Sequence, residues 1–422
     1  MKQKIAILGG GLAGLAAADK LTDKFQVIVF EKQEYLGGLA SSFLVGDTAI
    51  PKYYHHVVQH NTITKEYLQR FGLLETCKNW QKIKVAIGIN DKLYTINKVS
   101  GLLKFKHLSL LGKIRFGLFG LYTLSLMNTE NIPDDENAEQ WLVKLAGREV
   151  TKKIFEPLYA RNKFNIPLSE ISAKQFANRL KEKEISYNFS YPQAGLQAMI
   201  DGLEKAIISK KGVIFKNCAL KTIDVKNKEI FFDDKKIKID YIINTMPIPE
   251  FLKIAKGLPE DYAKKLSKLR YCPCVGVTFG TKDFLKKGLY WINLFGERIH
   301  MLMQHSVLCD MYPFKVNWCL RYGGSEEDLN LSDEEIKKEY LAVIKKYFPQ
   351  AEIVWAKVFR EKYAEPVYDK EYIAYAPEYE TPVSGLYHAG IQVTFPKIRN
   401  MNVALESGER VADIIFGDKE HH

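Results

Sequence analysis

The sequence predicts an α/β protein built around a parallel sheet, and the first residues of the chain carry the observations that predict it. A short apolar run, 4–8, enters a glycine-rich turn, 9–14, and a run of small residues, 15–21, follows the turn. A second apolar run covers 26–31. An apolar run, a glycine turn, a small-residue helix and another apolar run are typical of a βαβ unit, whose two strands are parallel.

The glycines of this turn stand at spacings that suit a dinucleotide. Gly9 permits a tight turn off the strand, Gly11 lets a pyrophosphate approach the backbone, and Gly14 lets the helix pack close to the sheet. The N–H groups at the start of the helix, with Leu12 and Ala13, carry a partial positive charge toward the phosphates. The turn therefore predicts a dinucleotide site formed by these five residues.

An acidic residue stands where a dinucleotide's ribose needs one. Glu31 ends the second apolar run, twenty positions after Gly11, and Lys32 follows it in the predicted cofactor-binding set. Glu31 also disfavours a cofactor with a 2′-phosphate, because two anions repel each other. The alternative interpretation is a glycine-rich turn in an unrelated α/β domain.

A second glycine pair indicates which dinucleotide binds. The stretch 37–41 reads Gly-Gly-Leu-Ala-Ser, and with the first turn and the acid it resembles the flavin amine oxidase superfamily. That superfamily includes protoporphyrinogen oxidases, phytoene desaturases and, more distantly, UDP-galactopyranose mutases. The resemblance implies non-covalent FAD, with Gly38, Leu39 and Ala40 around its pyrophosphate. Many members have arginine where this chain has Leu39, so we expect one phosphate contact to be missing.

The same resemblance extends along nearly the whole chain. It assigns Leu220, Gly390, Met401 and Asn402 to the FAD site, with a helix over 403–416 pointing at the pyrimidine edge of the flavin. It implies a Rossmann-like FAD-binding domain with an inserted α+β substrate domain of mixed sheet plus helices. The predicted ranges are 1–75, 191–258 and 384–420 for the FAD-binding domain, and 76–190 and 259–383 for the substrate domain.

Other elements follow from local signals. Asn90 and Asp91 between two short apolar runs predict a hairpin within 82–96. Ser332 with Glu335 forms a capping box that predicts a helix from 332 to 347. Further helices are predicted over 62–71, 138–145 and 259–269, and a single strand is predicted over 212–223.

The resemblance also supplies candidate catalytic and substrate-binding residues. His56 and Tyr54 are expected near the isoalloxazine ring, and Arg161 and Arg399 are expected to bind a substrate anion. The alternatives are a pair of polar strand residues at His55 and His56, one packed and one solvated, and a solvated turn at Arg161.

Three functions remain open at this point. The implied function is an FAD-dependent oxidoreductase that transfers a hydride from a C–N or C–C bond to flavin N5. A redox-neutral mutase or isomerase of a nucleotide sugar or lipid-linked sugar is the alternative. A flavin-binding structural or partner protein without enzymatic activity is the third.

Charge narrows the class of partner. The chain has 61 Lys and Arg against 50 Asp and Glu, a net charge of +11. This favours phosphorylated or other anionic small molecules and acidic membrane surfaces, and no nucleic-acid module is visible. The stretch 99–127 is apolar and basic, but its apolar part, 116–127, is too short to span a bilayer. It is either a helical cap that lies on a membrane or a buried helix of the substrate domain.

The six cysteines are spread along the chain and the first residues contain no apolar leader. We therefore expect a cytoplasmic protein, with peripheral membrane contact if the cap interpretation holds, and with reduced, buried thiols. No metal site is predicted.

Overall fold

The computed structural model of the chain describes residues 2–96, 99–182, 186–323 and 326–420. Its strands are β1 (Lys4–Leu8), β2 (Gln26–Phe30), β3 (Ser42–Val45), β4 (Thr48–Pro51), β5 (Val57–Val58), β6 (Gln81–Lys82), β7 (Val85–Ile89), β8 (Lys92–Tyr94), β9 (Asn188–Ser190), β10 (Val213–Phe215), β11 (Leu220–Asp224), β12 (Glu229–Phe232), β13 (Lys235–Lys238), β14 (Tyr241–Asn244), β15 (Ala255–Lys256), β16 (Tyr271–Thr281), β17 (Trp291–Leu294), β18 (Met301–Gln304), β19 (Lys315–Tyr322), β20 (Ile353–Pro366) and β21 (Leu386–His388).

The helices follow the same chain order. They are α1 (Leu12–Leu21), α2 (Thr62–Arg70), α3 (Val99–Lys104), α4 (Leu110–Ser125), α5 (Ala138–Ala146), α6 (Arg148–Val150), α7 (Ala173–Lys181), α8 (Leu196–Ser209), α9 (Ile248–Ile254), α10 (Glu260–Leu266), α11 (Glu326–Asn330), α12 (Asp333–Tyr347), α13 (Tyr372–Tyr375) and α14 (Met401–Glu420). A π-helical segment, Thr151–Phe164, follows α6.

A five-stranded parallel sheet has the order β10-β2-β1-β14-β21. The first strand is central and pairs in parallel with both β2 and β14, so the βαβ unit predicted from the glycine turn is confirmed. Helix α1 and helix α14 pack together on this sheet. A Cβ at Gly408 of α14 would lie 2.2 Å from the carbonyl oxygen of Ala13, so only glycine permits this approach.

A seven-stranded mixed sheet has the order β20-β16-β19-β18-β17-β7-β8. Its longest strand, β20, was not predicted from the sequence. The strand pairs with β16 along an edge of the sheet and is half-exposed over most of its length, so its sequence mixes Lys, Glu and Arg with apolar residues. Edge strands tolerate such charges because one side faces solvent, and this composition hides the strand from a pattern search.

The sheets draw on different parts of the chain. The five parallel strands lie within 1–75, 191–258 and 384–420, and the seven mixed strands lie within 76–190 and 259–383. The two sheets therefore follow the predicted ranges, and the division into an FAD-binding and a substrate domain stays a prediction.

The single strand predicted over 212–223 is wrong. The chain forms two strands there: β10 joins the parallel sheet, and β11 joins a four-stranded sheet of order β13-β12-β11-β15. Asn217 between them has a φ of 52°, a left-handed conformation that breaks the extended backbone.

Two local predictions are confirmed. Strands β7 and β8 form an antiparallel hairpin, and Asn90 and Asp91 take the positive φ angles, 48° and 64°, that a two-residue hairpin turn requires. The capping box is present at the start of α12, where Ser332 and Glu335 bond each other's backbone.

Helices α4, α5 and α7 and the π-helical segment pack around an aromatic core within the predicted substrate domain. Phe155 is central: its ring lies 5.2 Å from Phe119 of α4 and 5.6 Å from Phe176 of α7. Trp141 of α5 lies 5.9 Å from Phe119. Among the described residues, no helix is both long enough and apolar enough to cross a bilayer.

Candidate active site

The glycine turn between β1 and α1 leaves its backbone open at one position. An added Cβ at Gly11 would have no heavy atom within 4 Å, and Gly11 has an ordinary extended backbone with a φ of −73°. Gly9 has a φ of 107°, and a Cβ at Gly14 would lie 2.1 Å from the carbonyl oxygen of Gly9. The turn therefore needs glycine at 9 and 14 for its own shape, whereas the space at Gly11 is available to a ligand.

Glu31 holds this turn in place. The side chain is buried at the end of β2, and its two carboxylate oxygens accept hydrogen bonds from the backbone N–H groups of Gly10 and Gln33, each at 2.8 Å. Lys32, next in the chain, is exposed. A contact of Glu31 with a ribose stays a prediction, and the structure adds a second task, the positioning of the glycine turn.

The second glycine pair lies directly against the first turn. The N–H of Gly37 donates to the carbonyl of Gly10 at 2.8 Å, and Gly37 and Gly11 form a β-bridge. Gly38 has a φ of 56°, and its Cβ would lie 3.4 Å from the Cα of Gly11. Gly38, Leu39 and Ala40 form a short 3-10 turn beside the open space. The glycine motifs that follow β1 and β2 therefore line the same open space.

The carboxyl ends of three parallel strands meet at this edge. Thr245, just after β14, donates its hydroxyl to the carbonyl of Leu8 at 2.8 Å. Gly390, after β21, has a φ of 96°, and its N–H donates to Ser407 Oγ of α14 at 2.8 Å. Thr245 and Ser407 were not identified from the sequence, because single hydroxyl residues carry no motif.

Helix α14 begins at Met401, two residues earlier than predicted. Met401 is buried, and the Asn402 side-chain oxygen accepts a hydrogen bond from the N–H of Thr64 at 3.0 Å, in the first turn of α2. Contacts of Asn402 and Leu220 with FAD stay predictions. Leu220 begins β11. Two residues earlier, the N–H of Cys218 donates to the carbonyl of Glu31 at 2.9 Å.

These features together fit a dinucleotide. An open glycine backbone, the N-terminus of a ten-residue helix and an adjoining second glycine turn offer N–H groups and close approach to a pyrophosphate. No acidic side chain stands in the first turn of α1 to repel the phosphates. The predicted set Gly9, Gly11, Leu12, Ala13 and Gly14 is therefore brought together by the fold.

The candidate catalytic residues lie together in an aromatic pocket. His56 Nδ1 lies 3.0 Å from the hydroxyl of Tyr290, and the His56 ring lies 4.7 Å from the ring of Phe189. Tyr54 and His56 have ring centroids 6.1 Å apart, and Trp291 packs on Tyr54 at 5.9 Å. The pair predicted from the sequence thus shares one site.

Burial keeps this pocket uncharged at neutral pH. Burial, followed by the charge of His55, lowers the pKa of His56 to about 3. Burial lowers the pKa of His55 to about 4, although its Nδ1–H donates to the carbonyl of Tyr53. Burial raises the pKa of the Tyr54 phenol. The imidazoles are therefore neutral and the phenol keeps its proton.

A buried group of charges adjoins Tyr54. We call Lys163, Arg179, Glu365 and Arg399 the charged cluster. Lys163 Nζ and Arg179 Nη2 lie 2.7 and 3.1 Å from the two carboxylate oxygens of Glu365, which is fully buried. Arg399 Nε lies 3.6 Å from the same carboxylate. Three cationic side chains thus surround one carboxylate.

A hydrogen-bond chain joins the charged cluster to the pocket. Arg399 Nη2 donates to the hydroxyl of Tyr322 at 2.7 Å, and that hydroxyl donates to the hydroxyl of Tyr54 at 3.4 Å. Arg399 and Tyr54, predicted separately from the sequence, therefore belong to one site.

The pKa values of the charged cluster reflect its excess of positive charge. Burial raises the pKa of Glu365, but Lys163, Arg399 and Arg179 outweigh burial and hold that pKa at about 2. Burial, followed by the charge of Arg179, lowers the pKa of Lys163 to about 8, although Glu365 opposes the shift. An anion placed here would relieve the repulsion among the cations.

Sequence reasoning missed part of this site. Glu365 lies on the unpredicted strand β20, Tyr322 on β19 and Arg179 on α7, and none belongs to a motif. The available signal was weak, because strand β20 also carries Glu361 and the uncharged stretch directly before Glu365 is only two residues long. Arg161 lies outside the residues whose side chains are described, so its predicted role stays a prediction.

Comparisons with known proteins agree with this geometry. A family model described as flavin containing amine oxidoreductase matches residues 12–416. An uncharacterized protein of Methanocaldococcus jannaschii is 25% identical over 331 residues, which are 72% of this chain and 77% of that protein.

Solved structures share the fold at low identity. A protein of Exiguobacterium sp. 255-15, provisionally named a protoporphyrinogen oxidase, has a TM-score of 0.78 at 17% identity, over 98% of this chain and 99% of its own. Reduced UDP-galactopyranose mutase has a TM-score of 0.78 at 15% identity, over 99% and 94%. Putrescine oxidase bound to putrescine has a TM-score of 0.76 at 16% identity, over 99% of both chains.

The family match begins at Leu12, inside the first glycine turn, and covers nearly the whole chain, including the second glycine pair. The predicted cofactor and enzyme class are therefore confirmed. The chain belongs to the flavin containing amine oxidoreductase family, and FAD is its cofactor.

Proposed function

We propose that the chain is an oxidoreductase that oxidises a C–N or C–C bond of a small anionic or lipid-like substrate by taking a hydride from a carbon of that bond. FAD supplies the hydride acceptor, N5 of its ring, when it is bound. The observation that carries the proposal is the charged cluster, in which three cations meet one carboxylate within hydrogen-bond reach of the predicted catalytic pocket. An anionic group of the substrate would complete this balance of charge.

Each residue has a part in this proposal. Arg399 binds the substrate anion, because its planar guanidinium suits carboxylate and phosphate oxygens, and Arg161 supplies a second contact. The Tyr54 phenol, which keeps its proton, donates a hydrogen bond to the substrate. His56 stays neutral and, with the ring of Phe189, keeps water from the reacting atoms.

The charge of the site bears on the substrate class. Putrescine oxidase, one of the similar structures, binds putrescine. A protonated amine would be repelled by the excess positive charge around Glu365, since like charges in a buried site repel strongly. We therefore propose an anionic substrate for this chain in spite of the family's name.

A second candidate function is a redox-neutral mutase or isomerase of a nucleotide sugar or lipid-linked sugar. The excess positive charge favours it too, because a diphosphate carries the complementary charge. The two candidates differ in the redox state of the flavin. An oxidoreductase leaves the flavin reduced when it has oxidised its substrate, until an electron acceptor reoxidises it, whereas a mutase needs reduced flavin from the start and returns it unchanged.

The proposal includes a cytoplasmic location with peripheral membrane contact. All six cysteines are buried and unpaired, which suits a reducing compartment. A lipid-like substrate would reach such a protein from a membrane surface.

The test is an anaerobic titration of the holoenzyme with carboxylates and phosphates on one side and putrescine on the other. We expect an anionic compound to bleach the flavin absorbance at about 450 nm and putrescine to leave that absorbance unchanged. Bleaching by putrescine alone would refute the anionic-substrate proposal. Conversion of a nucleotide sugar only by dithionite-reduced enzyme would select the second candidate.

The Arg399→Ala variant tests the binding role. A charged hydrogen bond contributes about 1.5–3 kcal/mol, so KM for the anionic substrate should rise roughly tenfold to a hundredfold. Arg399→Lys keeps the positive charge but loses the planar guanidinium that binds an anion through two N–H groups, so KM should rise less than in Arg399→Ala. Equal KM values for all three proteins would remove Arg399 from the site.

A further inference from the structure

Helix α4 presents an apolar row to solvent. Six of its side chains are between 51 and 71% exposed: Leu110, Leu111, Ile114, Leu118, Leu121 and Leu124. We call these six residues the apolar face of α4. Isolated exposed leucines are ordinary, but contiguous apolar patches on a protein surface mark an interaction site.

The opposite side of α4 packs against neighbouring helices, so the helix has a fixed position in the fold. Phe119 is buried against Trp141 and Phe155, with ring centroids 5.9 and 5.2 Å apart. Ser109 caps the helix by accepting a hydrogen bond from the N–H of Gly112 at 3.0 Å. The helix is therefore held by one side and shows its apolar face outward, which excludes the interpretation of 99–127 as a buried helix.

Charge identifies the partner of this face. Residues 99–128 contain no acidic side chain, and four cationic residues lie among them: Lys104, Lys106, Lys113 and Arg115. Lys104, Lys106 and Arg115 are exposed. The Glu149 carboxylate, which lies at the start of α4, is bonded to Ser109 and Lys153. An apolar surface flanked by cations is complementary to anionic lipid headgroups above acyl chains.

We propose that the apolar face of α4 docks on an anionic lipid bilayer. Its leucines enter the acyl boundary, and the four cations contact the headgroups. The helix lies in the plane of the interface, since no described helix is able to span a bilayer. Docking itself is independent of the reaction, whereas its use, delivery of a lipid-like substrate, rests on the proposed function.

The docking helix and the charged cluster share one packed unit. From Phe119, ring contacts lead to Phe155 and Phe176, and the Tyr159 ring lies 4.2 Å from Phe176. The guanidinium of Arg179 lies 5.8 Å from the Tyr159 ring. The membrane-facing helix is thus joined through aromatic packing to the site proposed for the substrate anion.

Vesicle flotation of the FAD-loaded full chain tests the proposal. Vesicles of phosphatidylcholine with phosphatidylglycerol are compared with phosphatidylcholine alone, at low and high salt. We expect the protein to float with the anionic vesicles at low salt and to bind less at high salt, because salt screens the headgroup attraction.

Two sets of variants separate the apolar and electrostatic parts. The triple variant L111Q/L118Q/L121Q should lower the partition coefficient at least about a hundredfold in both salts, since buried leucines bind independently of salt. The triple variant K104Q/K106Q/R115Q should lower it about a hundredfold at low salt only.

Matched controls change the same residue types on other surfaces. Ile208, Val354 and Ile373 are 53, 56 and 49% exposed, and I208Q/V354Q/I373Q should bind vesicles as the native chain does. K235Q/K286Q/K287Q changes three exposed lysines and should also leave docking unchanged. Far-UV circular dichroism confirms that every variant is folded.

Several outcomes would overturn the proposal. These are native protein that stays unbound with both vesicle types, and controls that lose binding as much as the α4 variants do. A dimer that L111Q/L118Q/L121Q converts to monomer, without vesicle binding, would assign the face to a second copy of the chain. Flavin reduction by a water-soluble anion without flotation would leave the proposed reaction standing and would remove the docking together with the proposed membrane contact.

Discussion

The two glycine turns and the charged cluster are built in opposite ways. The turns bring together backbone from two neighbouring stretches of one βαβ unit, and their essential residues are glycines that lack a side chain. The charged cluster brings together side chains from the π-helical segment, α7, β20 and the loop before α14. The first is a local structure and the second is a product of tertiary folding. Substitutions should therefore affect cofactor binding in one region and stability together with substrate binding in the other.

The largest expected effect is on the open side of the glycine turn. Gly11→Val should abolish FAD retention, with a loss of affinity of more than about a thousandfold, because the branched side chain fills the pyrophosphate space. Folding should be preserved, since nothing lies within 4 Å of an added Cβ and the φ of −73° suits any residue.

The flavin absorbance of the purified protein measures this effect. Gly417→Val is the control, because its Cβ would also meet nothing within 4 Å, at an exposed position of α14. A fully flavin-loaded Gly11→Val protein would contradict the assignment of the space to the cofactor.

The charged cluster should respond in stability. Glu365→Gln leaves three buried cations without their carboxylate, and loss of one partner of a buried ion pair costs about 3–5 kcal/mol of unfolding free energy. Denaturant unfolding measures it. Asp310→Asn, which removes a half-exposed partner 2.7 Å from Lys315, should cost less than about 1 kcal/mol. Equal losses in the two variants would argue against an energetic distinction between the cluster and the surface.

The pH dependence of stability sharpens the same point. The pKa of Glu365 is about 2 in the folded chain, against 4.5 ordinarily. As the pH falls, the unfolded state therefore binds a proton at Glu365 before the folded state does. The contribution of this carboxylate to the free energy of unfolding is complete above pH 4.5 and is lost as the pH falls toward about 2. The native chain should lose on the order of 3 kcal/mol more than Glu365→Gln across this range. If the unfolding free energies of the native chain and of Glu365→Gln change in parallel with pH, Glu365 is not the group that causes the loss of stability in acid.

A smaller effect is expected at the acid of the βαβ unit. Glu31→Ala should weaken FAD binding roughly tenfold to a hundredfold, because a charged hydrogen bond contributes about 1.5–3 kcal/mol. Equilibrium dialysis of the flavin measures it. Glu31→Gln keeps an acceptor for the Gly10 N–H and should retain the shape of the turn. Stoichiometric flavin in Glu31→Ala after long dialysis would refute the ribose contact.

The smallest expected effect is at Asn402. Asn402→Ala removes the acceptor for the Thr64 N–H in the first turn of α2, and loss of such a cap costs about 0.5–2 kcal/mol. Asn402→Asp keeps the acceptor and should keep the stability, which thermal unfolding compares. A loss of flavin in Asn402→Ala with unchanged stability would favour the cofactor role predicted from the sequence over the helix contact.

The sequence by itself determined the cofactor half of the protein. The spacing of Gly9, Gly11 and Gly14 and the position of Glu31 act through backbone geometry over a few residues, which is why a motif predicts them. The hairpin at Asn90 and Asp91 and the capping box of α12 were predictable for the same reason: each is a local hydrogen-bond pattern.

Only the tertiary structure decided the rest. Glu365 meets Lys163, Arg179 and Arg399 because β20, an edge strand without an apolar signature, pairs with β16. The break at Asn217 sends β10 and β11 to different sheets, a choice that apolar content alone does not specify. The exposure of α4 depends on which side packs on Phe155. Long-range packing sets all three, because residues distant in sequence supply the energy of each contact.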